Sequence, residues 1–326
     1  MISSKLQRKK SGQTRFFPEI ATSCSKELQS LGFIADVFLI PGGVGVRFLS
    51  DRQFGNLASL AHLPIKELDF SRVTTFDPAV IQPFPLEALS LPLGCSFPFR
   101  EFKLFNLRRF SAIRSTAHDF ESLAILPLEE LILSGSKIDQ LSFTHSMPLV
   151  KLDISQTDVT DLRPLSDKPL EVLNLQRTKV DNLTPISSCP ISELNLNQTN
   201  LETLEPLRGS PLIELELRKT LVEDLSPLME CPLEILSLPG SPVRSLNPLT
   251  FCPLRALNMI GLKKIDLSPL CEMQLETLNI SPLELSADDF SILRELKVKC
   301  MVGPGDPTDQ TTDQFFIKYE TNQTNP

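Results

Sequence analysis

The chain has 326 residues, a formal net charge of −8, 27 prolines, 13 glycines and no tryptophan. An acidic balance of this kind disfavours general nucleic-acid binding, which needs cations to neutralise phosphates. The longest apolar run is well short of a bilayer span, so no membrane partner is expected.

In chain order, residues 1–17 (MISSKLQRKKSGQTRFF) are basic and have no apolar core behind the charges. They are read as a disordered tail and not as a secretory signal, which makes a cytoplasmic, thiol-reducing location the default expectation. A short helix is expected from Pro18 to Leu31, with Ile20, Leu28 and Leu31 as its apolar positions and the proline near its start, where it is tolerated. The run VFLIPGGVGVRFL then reads as a hairpin about a Gly-Gly turn. Helix and hairpin together, residues 18–63, are expected to form an N-terminal cap.

From residue 64 a unit of 21 residues repeats, most clearly at Pro127-Leu128, Pro148-Leu149, Pro169-Leu170, Pro190-Ile191, Pro211-Leu212, Pro232-Leu233 and Pro253-Leu254. The same register extends back to Asn106, Pro85 and Pro64 and forward to Gln274, about eleven units in all. With positions counted from the proline, apolar residues fall at 2, 5 and 7, and the unit from Pro169 shows them as Leu170, Leu173 and Leu175. Positions 4, 6 and 8 are mostly polar, and this period of two marks a short strand with one buried face. Twenty-one residues leave no room for a full return helix, and the proline at position 17 in most units argues against one, so turns and a short 3₁₀ segment are expected. Identical units stack in parallel, and each buries its leucines against its neighbours. The earlier units, from 64 to 126, keep the strand pattern but have irregular return halves rich in phenylalanine (Phe76, Phe84, Phe97, Phe99, Phe102, Phe105, Phe120).

The pattern PLxxLxLxxTxVxxLxPLxx resembles the leucine-rich repeat family, and is similar to its short bacterial, internalin-like subtype. Where the family usually has Asn at position 10, this chain has Ser136, Thr157, Thr178, Thr199, Thr220 and Ser241. Hydroxyls there can bond local backbone groups, so the column is read as a structural ladder. The resemblance implies an α/β-type repeat solenoid dominated by β structure, a right-handed superhelix with a parallel sheet on one face and turns on the other. It also implies a ligand surface made by the sheet, without naming the ligand.

At the C-terminal end SADDFSILREL reads as a short helix with Ser286 as N-cap and Asp289 three residues on. Leu296 and Val298 are expected in one last strand, closing the solenoid at residue 298, and residues 299–326 are read as a disordered tail.

Signs of chemistry are few. The three histidines, His62, His118 and His145, have no ligand spacing, and no P-loop, nucleophile elbow or calcium loop occurs. Gly42-Gly43-Val44-Gly45 lacks the Lys-Ser/Thr that a phosphate loop needs. The seven cysteines include no CxxC pair. Three of them, Cys189, Cys231 and Cys252, share position 21; Cys231 and Cys252 would be neighbours within disulfide reach, or small buried residues filling a column, and the second reading is favoured. No cofactor, metal or enzymatic activity is expected.

The sheet face is the candidate binding surface, with Lys151, Asp153, Asn174, Gln176, Asn195, Asn197, Glu216, Arg218 and Asn258 as its candidate residues. A cluster of Arg100, Lys103, Arg108, Arg109 and Arg114 is a second candidate, suited to an anionic ligand or acidic partner. The leading expectation is a monomeric, non-enzymatic module that binds a protein or peptide through this face. The alternatives are the repeat region of a larger signalling or enzymatic assembly whose catalytic part is on another chain, and a structural spacer with no specific ligand.

Overall fold

The computed structural model describes residues 18–51, 54–74, 77–101, 106–282 and 285–320. The expected basic tail at 1–17, Lys103, three of the N-terminal phenylalanines (Phe76, Phe102, Phe105) and the last six residues lie outside the described residues.

Helix α1 (Pro18–Ser30) buries Cys24 and Leu28 and leads into a hairpin of β1 (Ala35–Ile40) and β2 (Gly43–Phe48). The hairpin turns at Pro41-Gly42, where Gly42 takes φ +78, a conformation that glycine adopts without a Cβ penalty. From β2 onward every strand runs parallel: β3 (Ile65–Asp69), β4 (Ala88–Ser90), β5 (Arg109–Ser111), β6 (Glu130–Ile132), β7 (Lys151–Asp153), β8 (Val172–Asn174), β9 (Glu193–Asn195), β10 (Glu214–Glu216), β11 (Ile235–Ser237), β12 (Ala256–Asn258) and β13 (Thr277–Asn279). Helix α2 (Ala287–Glu295), β14 (Cys300–Val302) and α3 (Thr312–Glu320) complete the described chain, and β1 to β14 form one sheet in sequence order. Beyond β3 each strand is three residues long, slightly shorter than the alternation suggests.

Each 21-residue unit is one rung. Its strand is followed by a turn, and from rung 127 to rung 253 a short 3₁₀ segment forms the return, such as Thr184–Ile186 or Glu205–Leu207. Proline occupies the start of most of these segments, where its missing N–H leaves no bond unmade. The leucines at positions 2, 5 and 7 form one buried core along the stack; Leu170, Leu173 and Leu175 are at most 1% exposed. Position 9 turns left-handed rung after rung, at Arg114, Gln156, Arg177, Gln198 and Lys219 as well as at Gly135, Gly240 and Gly261. In five of those turns the hydroxyl at position 10 is buried and donates to the carbonyl at position 7: Thr157 to Ile154, Thr178 to Leu175, Thr199 to Leu196, Thr220 to Leu217 and Ser241 to Leu238. The Thr/Ser column therefore holds the turn by bonding its backbone, as a structural ladder should.

Position 21 forms a second inward column. The Cys189, Cys231 and Cys252 thiols donate to carbonyls of the preceding rung, Leu165, Leu207 and Leu228. All three are free thiols, and burial followed by the neighbouring Cys231 pushes Cys252 up to about 11. One rung earlier the same column holds Lys168, whose buried ammonium donates to the carbonyls of His145 and Met147, both at 2.9 Å. Burial lowers its pKa, against the opposing pull of Cys189. Nothing in the amino-acid pattern marks this lysine as an inward residue.

The C-terminal end departs from expectation twice. Leu296 and Val298 do not form the last strand; Leu296 caps α2, and the strand is Cys300–Val302, with Cys300 paired to Thr277. The return path here is a helix of nine residues rising about 1.5 Å each, so it consumes more chain than a three-residue turn, and the next strand starts later. The expected disordered tail is also corrected over residues 299–320. Thr311 bridges to Cys300, and α3 packs Phe315, fully buried, beside Tyr319. Asp306 accepts from the Tyr319 hydroxyl, the Gly303 amide and Lys318, which ties the loop to α3. A sequence signal for α3 exists: the amide of Gln314 donates to the Thr311 hydroxyl and the Gln314 side chain accepts from the Thr311 amide, the reciprocal pair of a T-x-x-Q capping box. The expected box at Ser286 and Asp289 is present in α2.

Candidate functional site: the outward face of the sheet

Strand alternation decides what this face carries. Position 5 points into the core, so positions 4 and 6 point away from it, and parallel pairing in register sets each column roughly 4.8 Å from its copy in the next rung. Helices α1 and α3 contact the end strands β1 and β14, and α2 contacts the last 3₁₀ segment, so among the described residues no helix packs on the outward side of the middle strands.

Of the nine candidate residues, Lys151, Asp153, Asn174, Asn195, Glu216 and Asn258 are strand residues on this face, whereas Gln176, Asn197 and Arg218 lie in the turns after β8, β9 and β10, and most of the nine are bonded to neighbours. The position 6 side chain accepts from the amide two residues on, in Asp153 (from Ser155, 2.9 Å), Asn174 (from Gln176, 3.0 Å), Asn195 (from Asn197, 3.0 Å) and Asn258 (from Ile260, 3.3 Å). This closes each strand into its turn, a local side-chain-to-backbone bond of the kind that Asp and Asn favour. Sideways bonds link the rungs: Asn174 donates to Asp153 at 3.1 Å and Asn195 to Glu216 at 3.0 Å. Asn197 also donates to Glu216, and its carbonyl oxygen accepts the Arg218 amide at 2.6 Å. Lys151 pairs with Glu130 at 3.0 Å. Asn197 is 8% exposed, whereas the Arg218 side chain is exposed in the turn after β10. Glu214, between Glu193 and Glu216, has its pKa raised, by burial first and then by the two neighbouring carboxylates.

The basic cluster is divided by the fold. Arg109 sits on the sheet face and pairs with Glu67 two rungs back at 2.5 Å, and Arg108 pairs with Glu129. Arg114 is exposed in the turn after β5, and Arg100 is exposed on the return side, in the 3₁₀ segment Phe99–Glu101. Two of the four described arginines are thus already neutralised, and the other two are on different parts of the rung.

No group of His, Cys, Asp and Glu arranged to hold a metal occurs among the described residues, and no helix there is long and apolar enough to cross a membrane. The best-formed hollow, of ≈ 380 Å³, is shallow and lies at the turns of two rungs, where it is lined by Arg244, Gly261, Lys263 and Lys264 among others. Ser241 also lines it, with its hydroxyl donating to the Leu238 carbonyl.

No family model matches the chain, and no curated protein matches it. Solved structures do. The chain is similar to an internalin, InlF, from Listeria monocytogenes, at 20% identity and a TM-score of 0.59, over 77% of this chain and 74% of that one. It is also similar to the functional domain of InlJ from Listeria monocytogenes, which includes a cysteine ladder, at 17% identity and a TM-score of 0.50, over 77% of this chain and 59% of that one. With identity this low, the likeness bears on architecture alone. Together with the 21-residue columns and the parallel sheet, it shows that the chain has the leucine-rich-repeat solenoid fold, as these two internalins do.

Proposed function

We propose that the chain is a non-enzymatic interaction module that binds a protein or peptide through the outward face of its sheet. One observation carries the reading: a long run of in-register strands whose polar face no other described element covers. Solenoids of this construction use such extended surfaces for binding. The internal bonds of the position 6 column make the face rigid, so little side-chain entropy remains to be lost when a partner docks. The same bonds also favour the spacer reading, because a face whose polar groups satisfy one another has fewer left for a ligand. Affinity capture separates the two. The wild-type chain should retain a specific partner that a variant with positions 6 and 8 replaced across β7 to β11 loses. Equal retention by both removes the sheet-face reading.

A further inference from the structure

Parallel, in-register stacking brings identical columns close together, so like charges in one column repel unless the chain alternates or neutralises them. Over most of its length it does. Along position 3, just before the strand, Lys66 pairs with Glu87 at 2.6 Å and Arg108 with Glu129. Near the other end Arg255 lies between Glu234 (3.8 Å) and Glu276 (2.5 Å), and Lys299 reaches Glu276 at 3.0 Å. Position 4 adds Arg109 with Glu67 and Lys151 with Glu130.

The alternation stops in the middle of the sheet. Position 3 there reads Val150, Glu171, Ser192 and Ile213, and position 4 reads Val172, Glu193, Glu214 and Ile235. Glu193 and Glu214 are direct partners in adjacent strands, and Glu216 projects from β10 on the same side as Glu214. No ion pair reaches Glu171, Glu193, Glu214 or Glu216 among the described residues. Burial first, and then the charges of Glu193 and Glu216, raise the pKa of Glu214. Beside these carboxylates stand two aliphatic side chains that the fold leaves in solvent, Ile213 at 41% exposed and Ile235 at 40%. A chain that balances its charges at both ends of the sheet leaves one strip unbalanced and apolar, a local conflict of the kind that marks functional surface.

We propose that this strip, formed by Glu171, Glu193, Glu214 and Glu216 with Ile213 and Ile235, docks a cationic segment of a partner protein, one that presents Lys or Arg beside an aliphatic side chain. The proposal rests on the sheet-face reading and gives its partner a chemistry. Cations entering the strip relieve the repulsion between Glu193 and Glu214, and the aliphatic side chain covers the two isoleucines. The flanking rungs, already ion-paired, offer a cation nothing comparable.

The test uses a fluorescein-labelled peptide of alternating lysine and isoleucine, with a glutamate–isoleucine peptide as control, read by fluorescence anisotropy on the full chain. The lysine peptide should bind, more weakly as salt rises, and the glutamate peptide should not. Glu193→Gln with Glu214→Gln should weaken binding about tenfold while the fold is kept, and Ile213→Ala with Ile235→Ala should weaken it further. Glu276→Gln, on an ion-paired flank, should leave affinity unchanged. Undiminished binding to the double Gln variant overturns the proposal, as does equal binding of the glutamate peptide. Residues 1–17 carry Lys5, Arg8, Lys9, Lys10 and Arg15. If replacing these five by Gln raises affinity tenfold or more, the chain's own basic segment covers the strip and an external partner is overturned. A partner that is lost with positions 6 and 8 replaced, yet keeps its affinity for Glu193→Gln/Glu214→Gln, removes this inference and leaves the sheet-face reading standing.

Discussion

The N-terminal rungs and the middle rungs share a spacing but not a way of filling the core. In rungs 127 to 252 the same leucine columns recur, every turn has its buried hydroxyl, and the return segments are near copies. In the N-terminal rungs phenylalanine fills spaces of changing shape. Phe48 contacts Phe33 edge-on at 5.6 Å, Phe54 edge-on at 5.0 Å and Phe70 in a stack at 4.9 Å. A second group runs from Phe110 through Phe99 and Phe120 to Phe143 in the first of the middle rungs, with centroids 5.2–6.0 Å apart. Repetition makes the middle rungs interchangeable, whereas each aromatic in the first rungs has a particular set of neighbours. The aromatic arrangement closes the stack onto its cap, and the repetitive one lengthens it.

The largest effect should come from breaking the aromatic end. Phe48→Ala is expected to cost about 3–5 kcal/mol, and Leu194→Ala in a middle rung roughly 2–4 kcal/mol, both measured by chemical denaturation. Hydrogen exchange sharpens the contrast. The Phe48 variant should lose protection mainly in β1 to β4, and the Leu194 variant in the rungs on both sides of β9. Uniform loss in both variants would mean that the two regions unfold as one.

The C-terminal cap has its own sensitivity, to acid. Burial would raise the Asp306 carboxyl, but donors from Lys318, Tyr319 and the Gly303 amide outweigh it, and the group is held below its usual value. A depressed folded pKa contributes stability above the unfolded value, near 3.9, and loses it as pH falls through the folded one. Helix α3 should therefore open before the middle rungs on acidification, and Asp306→Asn should remove about 1–3 kcal/mol from the cap at neutral pH. Exchange protection of α3 measured against pH checks both.

Two smaller effects separate the inward columns from the face. Thr199→Val removes the hydroxyl bond to Leu196 and should cost about 1 kcal/mol, visible as a lower denaturation midpoint. Glu214→Gln should act the other way. The raised folded pKa of Glu214 means that the fold disfavours its charge, a penalty present at neutral pH and absent below the unfolded value, near 4.3. The Gln variant should be more stable by a few tenths of a kcal/mol at pH 7, with no difference at pH 3. No gain at pH 7 would mean that the middle strip is not under charge stress.

The strand columns, their parallel order and the hydroxyl ladder are legible because a fixed period makes every column a separate witness to the same geometry. Lys168 is not, since a single lysine in a column of Met, Cys and Ser looks like a surface exception until two carbonyls are found around its ammonium. Helix α3 escapes a reading by period because it belongs to no repeat, although the Thr311–Gln314 pair marks its start. Most consequential for the site, Asn174 and Asn195 look in the sequence like free ligand-facing groups. Their oxygens are in fact engaged by the next amide but one, and their nitrogens by the neighbouring rung.

By itself the order of residues determined the architecture, because period and alternation follow from strand geometry and need no knowledge of distant contacts. Only the tertiary structure decided which outward side chains are occupied and which are left over. Many of those pairings join residues 21 or 42 positions apart, as in Asn174 with Asp153 and Arg109 with Glu67. Whether such groups meet depends on rotamers and on neighbouring charges, and a column of letters carries neither.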